Sequence, residues 1–261
     1  MTFSPVQDRA FLDTMIDRGA VFYLSHSGGK DSQAMYAILC RIIPHRQVCV
    51  VHADLGKIEW TGVQDHIRAT ITHPLNVVRA GKTFFEMVRH RNRTRPDVPP
   101  WPSSATRQCT SDLKRGPIQK FIRHDMKARG AKLAVNVTGI RWAEGPARAK
   151  RKPVTVNATL SKAGREVYDY MPILALSEAE VFQTIATVGQ KPFHAYSRNK
   201  RLSCVFCIMG CENDLAHGAD QRPDLYREYL DLEDETGWTM FNGQSLRERI
   251  EGVRSNQEQA A

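Results

Sequence analysis

The chain has 261 residues, enough for one large domain or one and a half small ones with a full core and no disulfides. Hydrophobic residues make up 41% and charged residues 25%, which excludes a disordered polymer, and no run approaches the roughly 18 apolar residues of a membrane span. Lys and Arg number 37 against 28 Asp and Glu, and the resulting +9 favours an anionic partner without choosing between nucleotide, nucleic acid and phospholipid.

The opening residues, Met1 to Pro5, show no basic segment leading into an apolar run, so no secretory signal is read and the expected location is the cytoplasm. In that reducing compartment the six cysteines do not predict a disulfide framework. Cys40 and Cys49 lie in apolar runs and read as small buried hydrophobes.

Residues 20–25 are a short apolar run rich in β-formers that ends on the turn signal Ser27-Gly28-Gly29. Residues 31–43 place Ala34, Met35, Ile38, Leu39 and Ile42 at helical spacing. Residues 47–52 read as a second strand, 59–71 as a helix, 75–78 as a third strand and 83–93 as a helix. Residues 94–106 hold four prolines and read as a loop. Residues 112–129 read as a helix with Leu113, Ile118, Phe121, Ile122 and Met126 on its apolar side, and 133–137 as a strand. This alternation predicts an α/β fold, an open and mostly parallel twisted sheet with helices on both faces.

After Arg141 the pattern changes. Residues 143–166 are basic and rich in Gly, Ala and Pro, and read as a mobile insertion. Residues 170–174 read as one more strand, and Ser177 with Glu180 as a capping box ahead of a helix over 181–188. The remainder holds a cysteine cluster, an acidic helical segment over 224–235 and a frayed tail over 254–261. The expected organisation is a nucleotide-binding α/β domain over 1–190 and a helical C-terminal region with the cysteines over 191–261.

The most informative segment runs from Ser25 to Ser32, Ser-His-Ser-Gly-Gly-Lys-Asp-Ser, between a strand and a helix. Glycines allow a tight turn and bring N–H groups close to an anion, and a helix N-terminus adds unsatisfied donors and a positive dipole end. Lys30 adds a full charge, and Ser27 and Ser32 add hydroxyls, so the segment reads as a phosphate cradle. It is not a Walker A loop, because Leu24 and Asp31 stand where that motif needs Gly and Ser/Thr, and no G-x-G-x-x-G is present. His26 reads as a packing or hydrogen-bonding residue outside the site.

The run Ser27 to Ser32 resembles the PP-loop of the ATP-pyrophosphatase and PAPS-reductase superfamily, with its adenine nucleotide α-hydrolase fold. Two further segments carry the resemblance: His52 to Gly56 with Glu59, similar to the Asp-x-Gly stretch that seats adenosine, and Gly139-Ile140-Arg141, similar to a Gly-Ile-Arg stretch whose arginine reaches the phosphates. The resemblance covers residues 20–215. It implies a nucleotide site of Ser25, Ser27, Gly28, Gly29, Lys30, Asp31, Ser32, Asp54, Gly139 and Arg141, with Lys30, Asp31 and Arg141 as its catalytic set. ATP is the implied ligand, with Mg²⁺; Asp31 would orient either the metal or the nucleotide.

Cys204, Cys207 and Cys211 form C-x2-C-x3-C, a spacing that suits zinc and iron–sulfur ligation alike, with unligated core cysteines as the third reading. A fourth ligand is needed, and Cys109 is the candidate. Its segment, Arg107 to Lys114, resembles the cysteine segment of DndC-type enzymes of DNA phosphorothioation, which implies a [4Fe–4S] cluster on Cys109, Cys204, Cys207 and Cys211, with zinc as the alternative. Between Met87 and Lys152 there are 17 Lys and Arg against 4 Asp and Glu, an excess larger than that of the whole chain. Trp101 and Trp142 lie within this stretch, which together reads as a nucleic-acid surface with stacking rings.

The resemblance implies cleavage of ATP to AMP and pyrophosphate, activating an acceptor oxygen that sulfur then displaces. The expected partners are a nucleic acid, DNA ahead of transfer RNA, and a sulfur donor such as a cysteine desulfurase; no membrane partner is expected, and a homodimer is admitted. The alternatives are a PAPS-reductase-like sulfonucleotide enzyme, a transfer-RNA thiolase and a catalytically inactive nucleotide-binding regulator. The first of these needs a nucleophilic cysteine on a C-terminal segment, and the sequence has no cysteine after Cys211.

Overall fold

Alternation along the strands sorts the apolar side chains onto two faces of one sheet. In β1 (Val21–Ser25) Phe22 and Leu24 enter one core, while Val21 and Tyr23 enter another. The same division runs through β2 (Val48–Asp54), where Val48 and Val50 share the first core and Cys49 and Val51 the second. The computed structural model describes residues 6–258, so Met1–Pro5 and the last three residues of the tail lie outside it. Two compact units are present. The first comprises the chain up to Ala53, Gly62–Val78 and Pro117–Phe193; the second comprises Asp54–Thr61, Arg79–Gly116 and the chain from His194.

The remaining strands are β3 (Leu75–Arg79), β4 (Leu133–Val137), β5 (Val154–Val156) and β6 (Glu166–Tyr170). The order across the sheet is β3-β2-β1-β4-β6-β5. β1 pairs in parallel with β2 and β4, and β4 with β6; β5 is antiparallel to β6. The helices of this unit are α1 (Arg9–Asp17), α2 (Lys30–Leu39), α3 (Val63–Thr70), α6 (Gly116–Ala128), α7 (Pro146–Ala149) and α8 (Glu178–Thr187). α1, α2 and α8 cover one face through Leu12, Met15, Met35, Leu39, Val181 and Ile185. α6 covers the other through Ile122 and Met126. The fold is therefore the expected α/β sheet clad on both faces.

The second unit contains α4 (Phe84–Thr94), a short α5 (Gln108–Thr110), α9 (Glu212–Gln221), α10 (Pro223–Thr236) and α11 (Leu246–Glu258); α9 to α11 make the C-terminal region helical, and α4 and α5 come from the part of the chain before residue 191. Its centre is aromatic: the ring of Tyr229 lies 5.5 Å from Phe84, 5.1 Å from Phe85, 6.1 Å from Trp101 and 5.1 Å from Phe206. Buried Glu233 accepts the N–H groups of Met240 at 2.6 Å and Leu246 at 3.1 Å, and the second of these satisfies a donor at the start of α11. No helix among the described residues is long and apolar enough to cross a membrane.

Several local expectations shift. α1 precedes the first element read from sequence; Asp8 caps it by accepting from the Phe11 N–H at 3.3 Å. The helix expected from residue 59 starts at Val63, because a 3-10 turn over Gly56–Ile58 precedes it and Gly62 sits at φ 85°. The basic stretch 143–166, expected to be a mobile insertion, is folded: it contains β5, and the Asn157 side chain binds the Leu160 N–H at 3.0 Å and Asp169 at 2.9 Å. The strand expected over 170–174 lies earlier, as β6; the apolar run after it is buried as a turn around Pro172. α11 continues through Glu258, across most of the segment expected to fray.

Candidate nucleotide site and cysteine group

After β1 the chain builds outward through β2 and β3 on one side, and the later strands β6 and β5 lie beyond β4 on the other. The strand order reverses between β1 and β4, and the carboxyl ends of strands at such a point are where open α/β sheets take their ligands. The turn at Ser27–Gly29 follows β1, and Gly139–Arg141 follows β4. Gly28 adopts φ 75°, which glycine reaches without steric cost. Gly29 is the N-cap of α2, so the first-turn amides of Lys30, Asp31 and Ser32 have no acceptor within the helix.

The interior of the turn is tied by short contacts. The Ser32 hydroxyl donates to the Gly29 carbonyl at 2.9 Å and faces the Ser27 N–H at 3.2 Å and the Ser27 hydroxyl at 3.3 Å. The Gly28 N–H donates to His26 Nδ1 at 3.1 Å. Ser25 is half-buried at the strand end, in register with Val51. Gly139 lies so close that a Cβ there would stand 2.9 Å from the Asp31 carbonyl carbon and oxygen, which no larger residue tolerates without moving the loop.

Lys30 and Arg141 are each only 4% exposed, and both bind Asp31. Arg141 Nε donates to Asp31 Oδ1 at 2.6 Å, and Lys30 Nζ to Oδ2 at 3.3 Å. Arg141 also donates to the Leu176 carbonyl at 3.3 Å, and Lys30 lies 3.2 Å from the more exposed Glu178. A buried guanidinium and a buried ammonium thus share one carboxylate at a helix N-terminus, with Glu178 as a second acidic neighbour of the ammonium.

Of the residues expected to bind nucleotide, Ser25, Ser27–Ser32, Gly139 and Arg141 belong to the first unit. Asp54 belongs to the second. Its buried carboxylate accepts from the Gly56 N–H at 2.7 Å and pairs with Arg79. Sequence reasoning passed over Glu178 and left His26 outside the site as a packing or hydrogen-bonding residue. Glu178 occupies the first position of α8 and carried no signal beyond its capping box. His26 carried one: an acceptor two residues ahead of a glycine can turn back onto that glycine's N–H. Burial, reinforced by His52 and His66, lowers its pKa to about 3, so its ring is neutral.

The second unit holds Cys109, Cys204, Cys207 and Cys211, and all six cysteines of the chain are free. Cys109 sits in α5, where the helix runs into a π-helical turn over Ser111–Arg115; the Gly116 N–H closes it on the Ser111 carbonyl, five residues back. The Cys204–Gly210 turn is fixed by Val205 N–H to the Ile58 carbonyl at 2.9 Å and by Gly210 N–H to the Cys207 carbonyl at 2.7 Å. The Met209 N–H points at Cys207 Sγ at 3.4 Å, and Cys211 is the N-cap of α9.

Burial raises the Cys204 thiol to about 12, against the pull of Lys114. Burial and then Cys207 raise Cys109. Burial lowers Lys114, but the charges of Cys204, Cys207, Glu59 and Cys109 together raise it. Cys109, Cys204 and Cys207 therefore share one electrostatic neighbourhood, although no three Cys, His, Asp or Glu side chains among the described residues stand ready to hold a metal ion. Cys49 is buried and its thiol is pushed up to about 12; Cys40 is half-buried and pushed up to about 11.

The basic stretch is partly self-compensated. Arg89 pairs with Glu235, Arg95 with Asp97, Arg129 with Asp125 and Arg148 with Glu144. Trp101 is buried and donates to the Trp238 carbonyl at 2.8 Å, so it offers no ring to a nucleic acid. Lys150, Arg151 and Lys152 remain exposed, with the half-buried Trp142 bonded to the Arg151 carbonyl at 2.9 Å.

Residues 22–214 match the model of the phosphoadenosine phosphosulfate reductase domain. The chain belongs to that family. The matched span takes in the Ser27–Ser32 turn, Gly139–Arg141 and all four clustered cysteines, and it ends in α9, ahead of α10 and α11. No curated protein matches the chain. Among solved structures, the phosphoadenylyl-sulfate (PAPS) reductase from Candida auris in a phosphate complex superposes with a TM-score of 0.47 at 14% identity, over 72% of this chain and 83% of that one. That likeness is too distant to bear on function. As a member of the phosphoadenosine phosphosulfate reductase domain family, the chain is an enzyme-type PP-loop protein with a nucleotide as its ligand class.

Proposed function

We propose that the chain is an ATP pyrophosphatase of the DndC type, which cleaves ATP at the α-phosphate and thereby activates an acceptor oxygen for replacement by sulfur. The observation that carries this reading is the pair of buried cations, Lys30 and Arg141, both held on Asp31 at the N-terminus of α2. A leaving pyrophosphate gains negative charge as the bond between the α- and β-phosphates breaks. The acceptor oxygen forms its bond to the α-phosphorus, and AMP leaves when sulfur later displaces the activated oxygen. Fixed amides and two fixed cations stabilise that developing charge without reorganising. Asp31, already engaged with both cations, is their positioner; Mg²⁺ arrives with the nucleotide's own phosphates.

Cys109, Cys204, Cys207 and Cys211 are proposed as the ligands of a [4Fe–4S] cluster, with zinc as the alternative. The donor chemistry fits, since thiolates are the ligands both groups use, and loading must displace their protons. When bound, a cluster supplies electron transfer or an iron that carries sulfur. DNA is the favoured acceptor, on the exposed Lys150–Lys152 run, and a cysteine desulfurase is the proposed sulfur donor.

The decisive experiment incubates the anaerobically purified chain with ATP, DNA and sulfide and identifies the nucleotide products. AMP and pyrophosphate are expected; ADP and phosphate would refute α-phosphate cleavage. Sulfite release from PAPS with thioredoxin would replace this reading by a sulfonucleotide reductase, and analysis for iron, sulfide and zinc decides the metal.

A further inference from the structure

We infer that His26 is a positioning residue of the phosphate-holding turn: its imidazole braces the Gly28 amide from inside and so fixes the direction of the outward amides. The inference rests on the proposed binding of a nucleotide's phosphates at Ser27–Ser32. Its geometry is independent of that reading. The ring belongs to a residue anchored on both backbone sides: the His26 N–H donates to the Val51 carbonyl at 2.8 Å, and its carbonyl accepts from His52 Nδ1 at 2.9 Å. From that fixed base Nδ1 takes the Gly28 N–H at 3.1 Å and lies 3.5 Å from the Ser32 hydroxyl.

A buried backbone N–H must find an acceptor. In the left-handed conformation of Gly28 this N–H turns inward, and the acceptor it finds is a side chain rather than the next turn of helix. The Ser32 hydroxyl then joins the first turn of α2 to Gly29 and Ser27. The chain of contacts runs from the β1–β2 ladder through the imidazole to the helix start.

The other ring nitrogen supports the same assignment. With Nδ1 accepting, the proton sits on Nε2, and that atom is buried with no hydrogen-bond partner among the described residues. An orphaned buried donor is destabilising. Phenylalanine or leucine would fill the same space without it. What the histidine offers against that cost is the acceptor on its first nitrogen.

The test uses the full chain at neutral pH and measures the affinity of inorganic pyrophosphate by calorimetry, with thermal unfolding alongside. His26→Asn keeps an acceptor two bonds from Cβ, and His26→Phe keeps the ring and loses it. Should His26→Phe not fold, His26→Leu takes its place. His26→Asn is expected to bind within about threefold of the wild type, and His26→Phe or His26→Leu to bind at least roughly tenfold more weakly in the folded protein. Equal affinity of the acceptor-free variant and the wild type would overturn the inference while leaving the nucleotide reading intact. If the wild type binds neither pyrophosphate nor ATP, the nucleotide reading falls and this inference falls with it.

Discussion

The turn at Ser25–Ser32 and the cysteine group of the second unit differ in how much of the final arrangement the chain makes by itself. The turn is complete: its amides, hydroxyls, imidazole and two cations are joined by contacts within hydrogen-bond reach. The cysteine group is not. Cys204 is a protonated thiol at neutral pH, the Tyr229 hydroxyl in the same neighbourhood is buried without a partner, and no metal-holding set stands assembled among the described residues. A hard anion site is assembled from dipoles and fixed charges that exist in any folded chain. A soft metal site becomes a set of ligands only when the metal displaces protons.

That contrast is open to experiment. The largest effect is expected from Lys30→Ala, which should lower pyrophosphate release by about a hundred- to a thousandfold and leave iron and sulfide content unchanged. Parallel loss of metal would show that the two regions are not separable. Cys207→Ser should do the converse, stripping the metal while pyrophosphate affinity, read by calorimetry, stays within about twofold.

Acid titration probes the turn through His26. His26 in the folded protein titrates near 3, against 6.5 ordinarily, because burial excludes the charged form. The unfolded chain therefore takes up a proton that the native chain refuses, so stability is full above pH 6.5 and falls as pH drops toward 3. His73 and His217 are also lowered, mainly by burial, and act in the same direction. Urea denaturation between pH 7 and 4 should show this slope, amounting to roughly a few kcal/mol, and His26→Phe should flatten it. An unchanged slope in the variant would assign the acid sensitivity to other histidines.

Gly139→Ala drives a Cβ to 2.9 Å from the Asp31 backbone, so about 1–3 kcal/mol of stability should be lost together with pyrophosphate affinity. The smallest effect belongs to Glu235→Gln in the second unit. Its ion pair with Arg89 is 41–49% exposed, and solvent screening should hold the change below about 1 kcal/mol by thermal unfolding.

What the sequence revealed was local. The strand and glycine turn at 20–29, the strand at 133–137 and the Ser177–Glu180 capping box each depend on neighbours in the chain and form where they were read, while the helix read over 31–43 runs from Lys30 to Leu39 and stops four residues early. Arg141 and Gly139 were reached only through resemblance, because their proximity to Asp31 spans more than a hundred residues. Trp101 was read as a stacking ring since its neighbours in sequence are basic; its neighbours in space are Phe84 and Tyr229. The π-helical turn behind Cys109 left no periodic mark, being one bonding register out of step with the helix around it. The inserted segment 143–166 looked mobile from composition, and it folds because β6 supplies a partner ladder that composition does not show.

That segment has a consequence for solubility. Its strand β5 reverses direction, spans only three residues and follows Pro153, whose nitrogen has no hydrogen to give. A neighbouring molecule seeking to extend the sheet from this flank meets a brief, backward-running rung bordered by lysines and arginine instead of a long parallel template. The parallel core can carry its continuous apolar strands without that margin becoming a seed for stacking one copy on the next.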